Sequence, residues 1–319
     1  MRSTLTVPWG SGELERALVY GLGLSGRAAA RFLLSRGVAV FAVDAREPAA
    51  LSLGELAAAP GFQLLPGGEP ADLSVNVEAV VVSPGVPMDR PLLADARRRG
   101  VPVIAEVELA FPFLNGPVIA ITGSNGKSTT TALCGAMLQA AGRAVEVCGN
   151  IGEPLVGKVE GAADRAFVVE LSSFQIEGLL SFVPHAAALL NLAEDHLDRY
   201  SGMEEYAATK KALFRYMDST AVAVLNGDDP ATLDLDTAAR RRRFSRLGPV
   251  VDGAFADSEG QVWEVAPGAP SVELFRASDV PLAGVQNLEN AMAAALLVRT
   301  LGVQPAAIRA ALDAEGHET

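Results

Sequence analysis

One arrangement constrains this chain more than any other: an apolar strand that runs into a glycine turn and leaves it as a helix. It occurs twice, in two forms. The first is Gly21-Leu22-Gly23-Leu24-Ser25-Gly26, and the second is Thr122-Gly123-Ser124-Asn125-Gly126-Lys127-Ser128-Thr129. Strand-turn-helix units of this kind build parallel sheets, because each strand must be carried back to the same edge by a helix that covers the sheet. The expected fold class is therefore α/β, a Rossmann-like N-terminal domain followed by a second α/β domain of P-loop type. A length of 319 residues suits two domains.

The pattern between the motifs agrees. Ala17–Tyr20, Val38–Asp44, Ala79–Ser83 and Val101–Ile104 are short and β-branched, while Ser25–Arg36 and Pro91–Arg99 have helical period. Two prolines, an Asn and a Gly in Phe111–Pro117 interrupt it, which places a domain boundary there: residues 1–112 and 113–319. Further strands are expected at Phe167–Leu171, Ala186–Leu192 and Ala221–Leu225, with helices at Lys127–Ala141, Met203–Met217 and Asn287–Thr300. The charge run Arg240–Arg243 reads as a solvated turn.

Charge and cysteine usage exclude some classes of partner. With 26 Lys and Arg against 38 Asp and Glu, the net charge of −12 repels nucleic acid and anionic membranes, so neither is an expected partner. Cys134 and Cys148 form no framework and no metal or redox spacing, and no apolar run is long enough to span a bilayer. A cytoplasmic monomer is expected.

The first loop fits G-x-G-x-x-G, so its N–H groups can meet a diphosphate at the positive end of the following helix. Asp44 closes the next strand where a dinucleotide fold binds a ribose hydroxyl, which leaves an NAD(P)-dependent oxidoreductase open as an alternative. The second loop carries more chemistry. Its glycines turn N–H groups inward, Lys127 can neutralise phosphate charge, and Ser128 or Thr129 can reach Mg²⁺. It departs from the strict phosphate-loop pattern, since Ile121 stands six residues before Lys127.

Other clusters gain meaning beside that loop. Glu170 ends an apolar strand and leads into Leu171-Ser172-Ser173-Phe174-Gln175, and Asn191–Tyr200 packs acids around His196 after another strand. An acid at such an edge suits a Mg²⁺ ligand, or merely caps a helix. Lys210 and Lys211 lie on an amphipathic helix, where solvated lysines are the common case. Asn287 and Asn290 share one helix face and offer amides to a ligand, or caps. A nucleotide-binding regulatory module, without chemistry, is the third alternative.

Taken in order, the stretches GLGLSG, SPG at Ser83–Gly85, ITGSNGKST, CGNIG, ELSSFQIE, LNLAEDHLDRY, YAATKKALF and GVQNLENAMAA resemble the Mur ligases, the ATP-dependent amide-forming ligases of peptidoglycan precursor synthesis. Within that family the GLGLSG opening is most similar to the D-glutamate-adding branch, with another Mur-type ligase as the alternative. The resemblance implies that ATP phosphorylates the carboxylate of UDP-N-acetylmuramoyl-L-alanine and that D-glutamate attacks the acyl phosphate. It implies ATP phosphates on Gly123, Ser124, Asn125, Gly126, Lys127, Ser128 and Thr129, with Asn287 and Asn290 on the base side. Ser128, Glu170, His196 and a carbamylated Lys210 would surround Mg²⁺, making Lys127, Lys210 and His196 the catalytic set. Gly23, Leu24, Ser25, Gly26, Asp44, Arg46, Ser83 and Gly85 would hold the UDP part, and Asn150, Ser172 and Gln175 the peptide end and metals. The family's third domain, with its G-L-P-H-R and D-S-K-A-T-N stretches, has no counterpart in these 319 residues. A chain of this extent is thus expected to bind the UDP substrate with little or no ligase turnover.

Overall fold

The computed structural model describes residues 5–65, 68–161, 164–195, 199–281 and 284–315. They separate into two compact units. The first comprises residues 1–114 with 152–161 and 173–182, and the second comprises 115–151, 162–172 and 183–319. Those two short segments follow the boundary stretch in sequence yet pack with the first unit, which a linear division at residue 112 does not include.

In the first unit a small hairpin, β1 (Leu5–Thr6) and β2 (Glu13–Leu14), precedes a parallel sheet. The sheet strands are β3 (Arg16–Tyr20), β4 (Ala39–Val43), β5 (Phe62–Leu64), β6 (Ala79–Val82) and β7 (Val103–Ala105), with helices α1 (Leu24–Ser35), α2 (Pro91–Arg98) and α3 (Glu106–Ala110). The strand order is β5-β4-β3-β6-β7, and every pairing is parallel. Succession reverses at β3, since β4 lies on one side and β6 on the other. That reversal opens a crevice beyond the C-terminal end of β3, where Gly21–Gly26 sits.

Acids of helix α3 help tie the two later segments to this unit, beside apolar packing such as Phe111 against Phe182. Glu108, fully buried, accepts from the N–H groups of Leu180 and Ser181 and from the Ser181 hydroxyl. Glu106 accepts from the Val156 N–H, and burial pushes its carboxyl up to about 7.

The second unit contains β8 (Val118–Thr122), α4 (Lys127–Ala140), β9 (Val145–Gly149) and β10 (Ala166–Glu170). The short helix α5 (Ser173–Ile176) falls in a segment of the first unit, and the chain returns to the second with β11 (Ala186–Leu189) and α6 (Met203–Lys211). Then come β12 (Val222–Asn226), α7 (Pro230–Leu233), β13 (Arg240–Ser245), β14 (Gly253–Ala256), β15 (Gln261–Val265), β16 (Val272–Arg276), α8 (Val285–Arg299) and α9 (Pro305–Glu315). Among the described residues these strands form a nine-stranded sheet in the order β16-β15-β14-β13-β12-β11-β8-β10-β9. It is parallel from β9 to β14, and β15 and β16 add antiparallel pairs.

The core of this unit explains the apolar runs. Strand β8 is buried at every position, as a strand covered on both faces must be. Helix α8 is buried without a break from Asn290 to Val298, and its alanines let it lie close against α4. Arg240–Arg243 is no turn: it lies in β13, where Arg242 is buried and pairs with Asp252 and Glu264. Arg299 meets the same Glu264 at 2.6 Å, so the buried charges are matched.

Candidate active site

Strand β8 delivers the second glycine loop to the sheet edge, and the loop is fixed from three sides. Thr122 Oγ1 donates to the Leu171 carbonyl at 2.9 Å, and the Ser124 N–H donates to the Asn191 carbonyl at 3.0 Å. The Asn191 side chain then clamps the loop tip: its Oδ1 accepts from the Asn125 N–H at 2.8 Å, and its Nδ2 donates to the Asn125 carbonyl at 3.0 Å. Gly126 has φ +83°, and a Cβ there would collide with the Asn290 side chain, so only glycine fits. Asn290 is buried at that contact, so it faces the loop, and it donates to Asn287 Oδ1 at 3.4 Å.

Lys127 opens α4 and folds back over the loop, donating to the Gly123 carbonyl at 3.0 Å and the Ser124 carbonyl at 2.8 Å. Burial pulls its pKa down, while Glu170 and Asp195 pull it up. The next residue, Ser128, donates to Glu170 Oε2 at 2.7 Å, and Asn150 Nδ2 donates to Glu170 Oε1 at 2.8 Å. Glu170 is 1% exposed and ends β10, the strand beside β8. Sheet topology thus gathers Lys127 and Ser128, Asn150, and Glu170, from three separate stretches of sequence, at one edge.

Lys210 is not the solvated lysine that its helix suggests. It is 1% exposed, with Nζ 4.7 Å from the centroid of the Tyr206 ring, whose hydroxyl lies 3.2 Å from Ser124 Oγ. Burial, then the nearby Lys127 charge, lowers its pKa to about 7. Lys211 is half-buried and pairs with Asp234 at 3.5 Å. Ser172 is half-buried in this unit, Gln175 is buried in the first unit, and His196 lies outside the described residues.

The first loop lies in a cavity of about 500 Å³ lined by residues that include Gly23, Leu24, Ser25, Asp44, Arg46, Ser83 and Gly85. A Cβ on Gly26 would overlap the Gly21 carbonyl, which Ser83 Oγ also reaches at 2.6 Å. Asp44 is committed to the loop itself. Its Oδ2 accepts from the Leu22 N–H at 2.6 Å and Arg46 Nη2 at 2.8 Å, and its Oδ1 from the Arg46 N–H at 2.9 Å and Nε at 2.8 Å. Arg46 and these N–H groups hold its carboxyl down at about 2. Four donors fill the roughly four acceptor positions of a carboxylate, leaving no oxygen for a ribose hydroxyl. The dinucleotide reading of Asp44 fails on that geometry.

Sequence reasoning passed over Asn191, Tyr20, Glu69 and Arg90 as site residues, the last three of which line the cavity. Tyr206 had a signal, its position one helical turn before Lys210. Asn191, Glu69 and Arg90 reach their sites from loops that leave no periodic trace, while Tyr20 ends the expected strand β3.

The reversal-point crevice and the lysine-bearing loop between strand and helix are features of an α/β protein of P-loop type. Residues 121–298 match the Mur ligase middle domain and residues 15–105 the Mur ligase MurD-like N-terminal domain, and the chain belongs to the Mur ligase family. It is 41% identical over 302 residues to UDP-N-acetylmuramoylalanine–D-glutamate ligase of Acidobacterium capsulatum, covering 93% of this chain and 66% of that protein. With the ligase of the same name from Anaeromyxobacter dehalogenans, identity is 44%, covering 94% of this chain and again 66% of the relative. The chain thus spans slightly less than two thirds of those relatives. Among solved structures, UDP-N-acetylmuramate:L-alanyl-γ-D-glutamyl-meso-diaminopimelate ligase from Neisseria meningitides shares the fold, with TM-score 0.61 and 20% identity over 94% of this chain and 98% of that one. The UDP-N-acetylmuramate-alanine ligase MurC from Thermotoga maritima does so with TM-score 0.53 and 21% identity, over 94% of this chain and 68% of that one. Among the described residues no helix is long and apolar enough to cross a membrane.

Proposed function

We propose that this chain carries the UDP-substrate unit and the ATP unit of a ligase that joins D-glutamate to UDP-N-acetylmuramoyl-L-alanine through an acyl phosphate. The observation that carries the reading is the set Lys127, Ser128, Asn150 and Glu170, gathered around a phosphate loop in a chain over 40% identical to ligases of that name. A carboxylate is a poor electrophile, so the chain's task is to position groups and neutralise the transferring phosphoryl. Lys127 would exchange its two loop carbonyls for phosphate oxygens, and the N–H groups of residues 126–129 would add their dipoles. Asn287 and Asn290 would take the base side of the nucleotide.

Mg²⁺ suits the donors available. The described residues contain no group of three or more His, Cys, Asp or Glu that would cage a metal by itself. Mg²⁺ does not need one, since it commonly uses one or two carboxylates together with substrate phosphates and water. Ser128 Oγ, 2.7 Å from the buried carboxylate of Glu170, supplies that kind of oxygen set. We assign Ser128 and Glu170 to the ion, with Lys210 as a carbamate and His196 completing the site. Bound there, the ion would neutralise charge on the phosphoryl oxygens.

Lys210 meets the requirement for carbamate formation, because an amine held at about 7 is neutral in a large fraction of molecules near physiological pH. In the first unit, the N–H groups of Gly23–Gly26 would meet the UDP diphosphate, Ser83 and Gly85 would form the facing wall, and Asp44 would hold Arg46 near the uracil. Asn150, Ser172 and Gln175 are assigned to the peptide end. The chain would work as a cytoplasmic monomer.

Calorimetry with UDP-N-acetylmuramoyl-L-alanine, beside a UDP-sugar lacking alanine, tests the reading. Binding of both, tighter for the first, is expected. Failure to bind either overturns it.

A further inference from the structure

The two acids of α3 that help hold the later segments of the first unit are unequally supplied with donors. Glu108 accepts from the N–H groups of Leu180 and Ser181 and from the Ser181 hydroxyl. Glu106, two residues earlier, is 1% exposed; its Oε1 accepts from the Val156 N–H, and its Oε2 is buried with no hydrogen-bond partner among the described residues. A carboxylate offers about four acceptor positions, so a charge on Glu106 would be buried and mostly unsatisfied, a costly state. Val156 lies in a 3-10 turn, Leu155–Lys158, that packs on α3. Leu155, Val156 and Val159 are buried there, while Gly152, Glu153, Gly157 and Glu160 are exposed, so the segment is a thin surface layer.

We propose that Glu106 is a proton-operated latch: protonated, it holds residues 152–161 closed on α3, and on losing its proton to solvent it favours a state in which the segment lifts and the carboxylate meets water. The charges around it are engaged elsewhere. Lys158 pairs with Glu153 at 3.0 Å within the segment, Glu160 pairs with Arg36 at 3.7 Å just beyond α1, and Arg27 of α1 donates to the Leu22 carbonyl. Arg31 of α1 is exposed, Glu108 shares the helix, and β6, β7 and the turn Phe111–Phe113, which also pack on α3, carry no titratable side chain. Burial pushes the Glu106 carboxyl up to about 7 in the closed form, against 4.5 for the group in water, and the Val156 N–H opposes that only in part. The closed form therefore binds the proton more tightly than the open one. Its hold is complete below pH ~4.5, weakens as pH rises toward about 7, and is constant above that.

Hydrogen exchange of the full chain, followed by mass spectrometry from pH 5 to pH 8, tests the latch, with each rate referred to that of an unstructured amide at the same pH. In wild type, protection of residues 152–161 is expected to fall roughly 10- to 100-fold over that range, most of it below pH 7. Glu106→Gln keeps an acceptor for the Val156 N–H and has no proton to lose. It should show a fall of less than about threefold, and at pH 8 it should be better protected than wild type. The segment should also exchange faster than β3 and β6 at every pH, because its opening leaves the sheet intact. Constant protection in wild type overturns the inference without any variant, as does a fall that survives in Glu106→Gln. Equal rates in the segment and in β3 and β6 would show that the unit opens as a whole, and the latch would not exist.

Discussion

The two glycine loops of this protein begin from the same backbone solution and end in different chemistry. Gly21–Gly26 neutralises itself: the Leu22 N–H and the Arg46 guanidinium are spent on Asp44, a residue of the same crevice. Gly123–Thr129 instead turns its cation onto neutral hydrogen-bond partners, with Lys127 donating to the Gly123 and Ser124 carbonyls in a partly desolvated position. A charge paired with a carboxylate has little to gain from a ligand, whereas a desolvated ammonium on carbonyls has much to gain from phosphate. The first loop is therefore a finished platform, and the second is poised for an anion.

The largest expected effect tests that contrast directly. Lys127→Ala should weaken ATP binding by roughly 100-fold or more, as loss of several charge-assisted hydrogen bonds implies, while UDP-substrate binding stays unchanged. Titration with a fluorescent ATP analogue measures it. A loss below about threefold would mean that the second loop, like the first, works through its backbone alone.

Next in size is the backbone fit of the first loop. Gly26→Ala places a Cβ on the Gly21 carbonyl and should cost about 3 kcal/mol, whereas Gly23→Ala meets nothing within 4 Å and should cost about 1 kcal/mol or less. Urea midpoints separate the two. Equal costs would show that this platform tolerates displacement and is not rigid.

Much of this was legible in the sequence, because strand-turn-helix units advertise themselves through apolar runs and glycines. The expected strands at Phe167–Leu171 and Ala221–Leu225 correspond, within a residue at each end, to β10 and β12, and Glu170 does stand at a strand's C-terminal end. What escaped depends on residues distant in the chain. Four consecutive arginines hide the alternation that buries Arg242 alone, because its partners Asp252 and Glu264 come later. Helical period alone leaves Lys210 and Lys211 alike, and only the family resemblance singles out Lys210; the contacts that bury it, the Tyr206 ring and the loop that Tyr206 touches, come from the fold. Residues 152–161 and 173–182 read as parts of the second half, yet acids of α3 help hold them in the first unit.

A smaller effect is expected at the tip of the second loop. Asn191→Ala removes both bonds to Asn125 and should cost about 1–2 kcal/mol and weaken ATP binding about three- to tenfold, if the clamp presets the loop. Asn191→Asp should be the worse of the two, since it keeps the acceptor for the Asn125 N–H but sets a carboxylate oxygen against the Asn125 carbonyl. If both variants bind ATP as wild type does, the loop is set by its glycines and the contrast with the first loop narrows to Lys127.

The smallest effect concerns the finished platform and is read through pH. Asp44 titrates at about 2 in the folded protein against 3.8 in its absence, so folding favours its charged form. The stability it contributes is complete above pH ~4 and disappears as pH falls from there through about 2, because the unfolded chain binds the proton first. A shift of this size corresponds to at most about 2 kcal/mol, and the exposure of Arg46 reduces it to roughly 1–2 kcal/mol. Asp44→Asn should therefore be less stable than wild type at pH 5, by urea midpoint, and the gap should have narrowed to roughly a third by pH 2.5. The second loop supplies the control. Lys127 stays protonated throughout that range, so the gap between Lys127→Ala and wild type should not depend on pH there. A gap for Asp44→Asn that stays constant from pH 5 to 2.5 would mean that Asp44 acts by shape and not by charge, and the first loop would no longer count as self-neutralised.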